Sequence, residues 1–441
     1  MRGIAPPPPA LQPFIPSLHG SPTSRMAKQR ILFHLTHFLR GGIETSLVSL
    51  LASLDRERFE VGLTLTYPTE ALETHFRALL PPDVKIHILA PEAWLSRCRQ
   101  LKKAGKLGPL GKIYEEVLLP PLRKPLVNRR FRGIARDYDL VVDYDMSLSR
   151  LTGRLPVPMI GYQHFSVAHL ERENRRKLRK LRRQCREHYD RIVVLNDSML
   201  ADARALIPDA AGKFVRLYNA IDLDRIRLAG EAPFTPPAHP YIVSVGRLEE
   251  SQKDFATLLR AYAALVRGTG LRERLVLVGE GASRARLEAL SRELGISERV
   301  SFAGFQPNPY MWIRHARLMA FSSKMEGLPN VLLEGMALGQ LVVSTDCPVG
   351  PREILADGKA GLLTPVGDAP ALAEAIRRGL EDEPLRARLL AYAARHIEQM
   401  GFGPTSAAFS ACVDGLLGAP AQAAAPTAAV PLPSSAADTT A

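Results

Sequence analysis

Two successive series of short apolar runs, each alternating with helical stretches, predict an α/β protein. It is built from two doubly wound, Rossmann-like parallel-sheet domains facing across a cleft. Three observations carry this expectation. The alternation of strand-like and helix-like segments runs from about residue 30 to residue 365. A proline cluster at positions 233, 236, 237 and 240 splits it in two. The chain has 441 residues, enough for two or three domains.

The first series contains strand candidates at Arg30–Phe38, Glu60–Thr66, Val84–Leu89, Leu140–Asp145, Pro158–Phe165 and Arg191–Asn196. A break follows near Ile221–His239. The second series contains Tyr241–Leu248, Arg274–Gly279, Val300–Phe305, Arg317–Ser323, Leu341–Asp346 and Gly361–Pro365. The expected organisation is a disordered leader over 1–25, a first domain over 26–225, a hinge over 226–240 and a second domain over 241–400. A C-terminal helix over 401–418 is able to pack back on the first domain, and a disordered tail covers 419–441. Residues 1–25 are proline-rich and lack the apolar core of a secretion signal. They read as a leader, or as a product of start-site choice with Met26 as the working start.

The composition is that of a globular protein, with 46% hydrophobic residues. No uncharged apolar run reaches the roughly eighteen residues needed to span a bilayer. Cys98, Cys185, Cys347 and Cys412 lie far apart, with no C-x-x-C spacing. This excludes a zinc or disulfide framework and suits a reducing cytoplasm. The net charge of +13 is uneven: residues 1–240 carry a net +14 and residues 241–400 a net +1. The first half therefore suits an anionic membrane, a phosphorylated acceptor or a nucleic acid.

Ligands bind outside the carboxyl ends of strands in such sheets, so the residues just after each strand matter most. The stretch Glu326-Gly-Leu-Pro-Asn-Val-Leu-Leu-Glu334 is the most telling. Pro329 and Asn330 signal a helix start, with Glu326 in the preceding loop and Glu334 about one turn inside. Two hydroxyl-accepting carboxylates then flank helix N-terminal amides that suit phosphate. Together they describe a nucleotide-sugar pocket. Arg247, after Gly246, and Lys253 supply two cations at one strand end, able to hold a diphosphate and stabilise departing charge. Read alone, they are also an ordinary loop Arg and Lys, and Glu326 also reads as a plain loop acid.

Gly246-Arg247-Leu248 with Lys253, Gly279-Glu280-Gly281, Gly304, Glu326 to Glu334 and Pro348-Val-Gly-Pro-Arg-Glu353 resemble the family 4 retaining glycosyltransferases of GT-B fold. The resemblance spans about residues 30–400 and is strongest over 241–365. The Cys347-to-Glu353 stretch is similar to bacterial enzymes of exopolysaccharide and lipopolysaccharide assembly. The resemblance implies that Arg247 and Lys253 hold the donor diphosphate, that Glu326 faces the transferred sugar and that Glu334 accepts from the ribose. Amides near Leu328, Asn330 and Val331 would touch phosphate, while Pro329 has none to give. Gly41, Gly42, Gly246, Gly279, Gly281 and Gly327 would let backbone approach the donor. His164 either contacts the sugar or is structural. Glu44 either belongs to the site or complements its helix dipole. Asn219 matches a turn in which the family usually has glycine at the next position, here Ala220.

No cofactor is expected, since the nucleotide-sugar is a substrate, and no metal. Of two Asp-Tyr-Asp triplets, Asp137–Asp139 reads as a solvated turn and Asp143–Asp145 as acceptor-facing. The basic run 172–191, with Leu178, Leu181 and Cys185 at helical spacing, and the segment 97–132 both read as weak anionic-membrane contacts. A solvated helix face packed by its stripe is the alternative. Nucleic acid is disfavoured because the run has almost no aromatics. The expected function is transfer of a sugar, from UDP by preference, to a glycan or lipid-linked acceptor with retention, in polysaccharide or lipopolysaccharide synthesis. The rival readings are a nucleotide-sugar epimerase, a non-catalytic nucleotide-sugar scaffold and a nucleic-acid binder.

Overall fold

The computed structural model describes residues 28–39, 41–95 and 108–418. The leader, the tail beyond Gly418, Cys98 and the first part of the basic segment 97–132 lie outside the described residues. The first lobe is a seven-stranded sheet in the order β3-β2-β1-β4-β5-β6-β7. Its strands are β1 Gln29–Leu35, β2 Phe59–Leu65, β3 Lys85–Ile88, β4 Leu140–Asp143, β5 Met159–Gln163, β6 Arg191–Val194 and β7 Phe214–Arg216. The second lobe is a six-stranded sheet in the order β10-β9-β8-β11-β12-β13. It comprises β8 Tyr241–Val245, β9 Arg274–Val278, β10 Val300–Gly304, β11 Leu318–Phe321, β12 Val342–Thr345 and β13 Leu362–Thr364. All pairings are parallel.

The strands are near-continuous apolar runs because helices cover both faces of each sheet. Ile31–Leu35 is buried at every residue, and so is Leu318–Phe321. In both sheets the strand order reverses at one point, between β1 and β4 and between β8 and β11. A crevice opens at such reversals.

Several elements differ from the expected ones. Strand β4 ends at Asp143 rather than Asp145, because Asp143 turns its carboxylate onto the amides of Ser147, Leu148 and Ser149. β7 is an additional strand. The stretch 221–239 holds a helix, Leu223–Gly230, started by Asp222 accepting from the Arg225 amide. This helix packs against Tyr310–Arg314 and Asn330–Ala337 of the second lobe. The chain therefore passes between lobes before the proline cluster. Ala220 keeps an ordinary negative φ, so alanine fits where a glycine was the usual residue.

After the second lobe the chain returns. Gly401 bridges Ile221 in parallel, and the helix Phe402–Leu417 lies against Gly42–Ser53. Phe409 stacks on Phe33 at 5.9 Å and meets Phe59 edge-on, and Asp414 pairs with Arg58.

Candidate active site

The second sheet's reversal point brings two distant loops together. Lys253, after β8, places its ammonium 2.6 Å from Oε1 of Glu326, after β11. The two side chains are only 16% and 8% exposed. Gln252 donates to the other Glu326 oxygen at 3.3 Å, and the Lys253 ammonium lies 5.1 Å from the centre of the Phe321 ring. Arg247, on the same β8 loop, is exposed and has no ion-pair partner among the described residues. A held cation, a held carboxylate and an unengaged guanidinium thus share one edge.

Glu326 is fixed through its backbone. Its amide donates to the Pro348 carbonyl at 2.9 Å, and its carbonyl accepts from Val349. The helix Asn330–Ala337 follows at once, with Pro329 as its N-cap. Its first-turn amides, at Asn330 and Val331, belong to the group that a helix cannot satisfy internally. Leu328 is buried and anchors the loop. Glu334 is half-buried, and desolvation pushes its carboxyl up to about 7, against the opposing pull of Arg225. Tyr310 carries its hydroxyl to the same corner.

The first lobe meets this loop through β5, β6 and β7. A Cβ added at Gly327 would lie 2.1 Å from the His164 carbonyl oxygen, so only glycine allows that approach. Asn196 donates to the Gly327 carbonyl at 2.8 Å, and Asn219 donates to the Asn330 side chain at 2.9 Å. Asn219, expected as a local turn residue, is thus an inter-lobe contact. Glu353 accepts from the Tyr218 hydroxyl at 2.5 Å and from the Asp197 amide at 2.8 Å. Sequence reasoning quoted Glu353 within a motif but gave no role to it, or to Asn196, Gln252 and Arg225, since each acts across a distance that no spacing reveals.

His164 is buried in a cluster with the Tyr144 and Tyr162 rings, which also pack on each other. Burial pulls its pKa down to about 4, so the ring is neutral. Nε2 sits 2.6 Å from the Tyr144 carbonyl, which can only accept, so Nε2 carries the proton. Nδ1 is left as an acceptor with no partner among the described residues. A neutral His164 can receive a sugar hydroxyl proton but cannot supply positive charge.

Other expected residues also have structural contacts of their own. A Cβ on Gly279 or Gly281 would lie 1.9 Å from the Gly246 carbonyl oxygen or 2.3 Å from that of Leu248. The Gly279 amide is spent on Gly304. Both glycines therefore serve loop packing and hold the Gly246–Arg247 segment in place. Gly41 lies against Glu44, whose carboxylate accepts from the Leu39 amide and closes the loop after β1. Gly42 is exposed with open space beside it and begins its helix.

The Asp143–Asp145 triplet does not face an acceptor. Asp143 is fully buried and accepts from Tyr189 at 2.7 Å as well as from backbone amides. Asp145 is filled by the Thr36 amide and by Ser147. Both aspartates are clasps for the turn after β4. Asp139 pairs with Arg30 at 2.9 Å on the surface, as a solvated turn would. Among the described residues no group of three or more His, Cys, Asp or Glu is placed to hold a metal ion.

Two family models match in tandem. One, Glycosyltransferase Family 4, covers residues 40–225, and the other, Glycosyl transferases group 1, covers residues 231–396. The chain belongs to the family 4 glycosyltransferases. A Campylobacter jejuni N-acetylgalactosamine-N,N'-diacetylbacillosaminyl-diphospho-undecaprenol 4-alpha-N-acetylgalactosaminyltransferase is 41% identical over 172 residues, 38% of this chain and 45% of that enzyme. The Rhizobium meliloti lipopolysaccharide core biosynthesis glycosyltransferase LpsE is 40% identical over 176 residues, 40% of this chain and 48% of that enzyme. The matched stretch thus spans about half the length of these relatives. Anabaena Alr3699/HepE, solved with UDP and glucose, superposes with a TM-score of 0.67 at 20% identity, over 88% of this chain and all of that one. This likeness shows that the chain has the GT-B fold.

Proposed function

We propose that this chain transfers a sugar from a nucleotide diphosphate donor, UDP-linked by preference, to a glycan or lipid-linked acceptor in polysaccharide or lipopolysaccharide assembly. The observation that carries the reading is the Lys253–Glu326 pair at the second sheet's reversal point, beside exposed Arg247 and the start of the helix at Asn330. Arg247 forks onto the diphosphate, and Lys253 and the Asn330 and Val331 amides complete its cradle. Glu326 faces the sugar, Glu334 accepts from the ribose, and neutral His164 accepts a sugar hydroxyl from the opposite lobe. We read the attack as same-face, with configuration retained: the acceptor oxygen bonds to the anomeric carbon as the bond to the diphosphate oxygen breaks. The departing diphosphate takes the acceptor's proton. Fixed cations and amides neutralise the leaving charge, and no metal is required. The relatives, a lipopolysaccharide core enzyme and an undecaprenol-linked transferase, support a lipid-borne acceptor and a place at a membrane.

The deciding experiment is a thermal-shift screen of nucleotide-sugars, followed by product analysis with the hit. A ligand that binds only the folded chain raises its melting temperature. A UDP-sugar is expected to do so, and its turnover to be unaffected by EDTA. Recovery of an epimerised donor in place of a glycosylated product, or loss of turnover in EDTA restored by Mg²⁺, would count against the reading.

The Glu334 carboxyl supplies a pH test. Its pKa is raised in the folded chain, so it takes up a proton as pH falls through about 7. Ribose hydroxyls donate to the ionised form, so UDP-glucose affinity is expected to drop several-fold from about pH 8 to about pH 6. Glu334→Gln should flatten that profile. An identical pH profile in both proteins would remove Glu334 from the nucleotide site.

A further inference from the structure

Residues 109–125 form a continuous helical stretch with two faces. Pro109–Ile113 is α-helical, Tyr114–Leu118 is a π turn and Leu119–Ala135 is α-helical again. The inner face is fixed: Leu119, Val127 and Phe131 are buried, and Glu115 and Arg123 form a buried ion pair at 2.9 Å. The outer face is apolar. Leu110, Ile113, Val117, Leu118 and Leu122 recur at helical spacing and are between 54% and 83% exposed. Lys112, Glu116 and Lys124 are exposed along the same stretch, a net single positive charge. The apolar stripe is therefore not a core face left uncovered by chance, because the core face is a different one.

The basic helix Arg175–Glu187 behaves in the opposite way. Its apolar stripe, Leu178, Leu181 and Cys185, is buried in the lobe, so it has nothing to insert into lipid. Every exposed side chain on it is Arg or Lys. Both helices lie on one side of the first sheet. The β1-to-β3 crossovers run one way along the sheet and those from β3 onward run the other. Right-handed crossovers then place Gly42–Ser53 on one face and the later helices on the opposite face. The short helix Ser149–Thr152 links them: Arg132 donates to the Thr152 carbonyl at 2.5 Å, and Gln184 donates to the Ser149 hydroxyl at 2.8 Å.

From Leu122 the stripe continues at helical spacing to Leu126 and Arg129. These line an open pocket of about 570 Å³ with His87 and Gly133, at the outer edge of the sheet. An apolar ridge to insert, a cationic helix on the same face and an arginine-lined recess suit one kind of partner.

We propose that this face docks on an anionic phospholipid surface. The ridge of Leu110, Ile113, Val117, Leu118 and Leu122 enters the acyl boundary, and the Arg175–Glu187 helix lies over the headgroups. The proposal deepens the reading of a lipid-borne acceptor, but its test needs no turnover.

Flotation of the full chain with vesicles tests it. Phosphatidylcholine vesicles are compared with an equal mixture of phosphatidylcholine and phosphatidylglycerol. The chain is expected to float with the mixture, to be released by salt, and to bind phosphatidylcholine alone far less. Combining Val117→Ser, Leu118→Ser and Leu122→Ser should lower partitioning at least about tenfold. Because those side chains face outward, the melting temperature and the UDP-glucose thermal shift should stay unchanged. Replacing Arg176, Lys180 and Arg183 by Glu should lower binding to the mixture by a similar factor. Wild-type partitioning in the serine variant overturns the proposal. So does a wild-type dimer that the serine variant converts to a monomer, since a second copy would then cover the ridge. If vesicles bind but no nucleotide-sugar does, the enzymatic reading fails and the docking surface stands.

Discussion

Glu326→Gln is expected to lower sugar transfer roughly hundredfold or more while leaving UDP binding intact or slightly tighter. Two opposed effects of one carboxylate lead to this result. Glu326 faces the sugar in the proposed complex, so its loss removes an interaction at the reacting end. It also neutralises Lys253 at 2.6 Å in the unliganded chain. Without it the ammonium is freer to meet phosphate. Gln252 remains beside the new amide, so the loop keeps a hydrogen-bonding neighbour. UDP release from the donor, measured with an acceptor extract, reports the first effect and calorimetry with UDP the second. If turnover falls only in proportion to lost UDP affinity, Glu326 is a diphosphate-side residue and its assignment to the sugar is wrong.

Arg247→Ala should do the reverse. Charge-assisted hydrogen bonds are worth about 1.5–3 kcal/mol, so UDP affinity is expected to fall about 10- to 100-fold. The melting temperature of the unliganded protein should hardly move, because Arg247 is exposed and pairs with no acid among the described residues. Arg247→Lys should recover only part of the affinity, since an ammonium lacks the guanidinium fork. Calorimetry with UDP and thermal melts separate these outcomes. Equal UDP affinity in wild type and Arg247→Ala would place the diphosphate elsewhere.

The architecture was readable wherever burial on two faces leaves a near-continuous apolar signature, as in Leu318–Phe321 or in Ile31–Leu35 around His34. The site was readable in part for a related reason. Parallel sheets put ligands after strands, so Arg247, Lys253 and Glu326 stand out by position alone. Their union was not readable, because 73 positions separate Lys253 from Glu326. The Asp143–Asp145 turn was misread because a carboxylate binding ligand and one gathering its own backbone amides look alike in a sequence. Gly279 and Gly281 signal close approach without saying to what, and the Gly246 and Leu248 carbonyls they lie against could not be named from the sequence. Leu178, Leu181 and Cys185 have the period of a membrane-facing stripe, and that period does not say whether a core or a lipid receives it.

The return of the chain at Gly401 affects how the molecule moves and how it breaks. Two segments run side by side between the halves, one near Ile221 and one near Gly401. Paired straps restrict relative motion to a twist about themselves. Such a twist would move the β3 and β10 edges, which lie farthest from the straps, the most. A protease cut among the prolines at 233–240 should leave both pieces associated, because Phe409 remains locked onto Phe33. Trimming the chain after Met400 would strip that anchor and uncover the Phe33–Phe59 side of the first lobe.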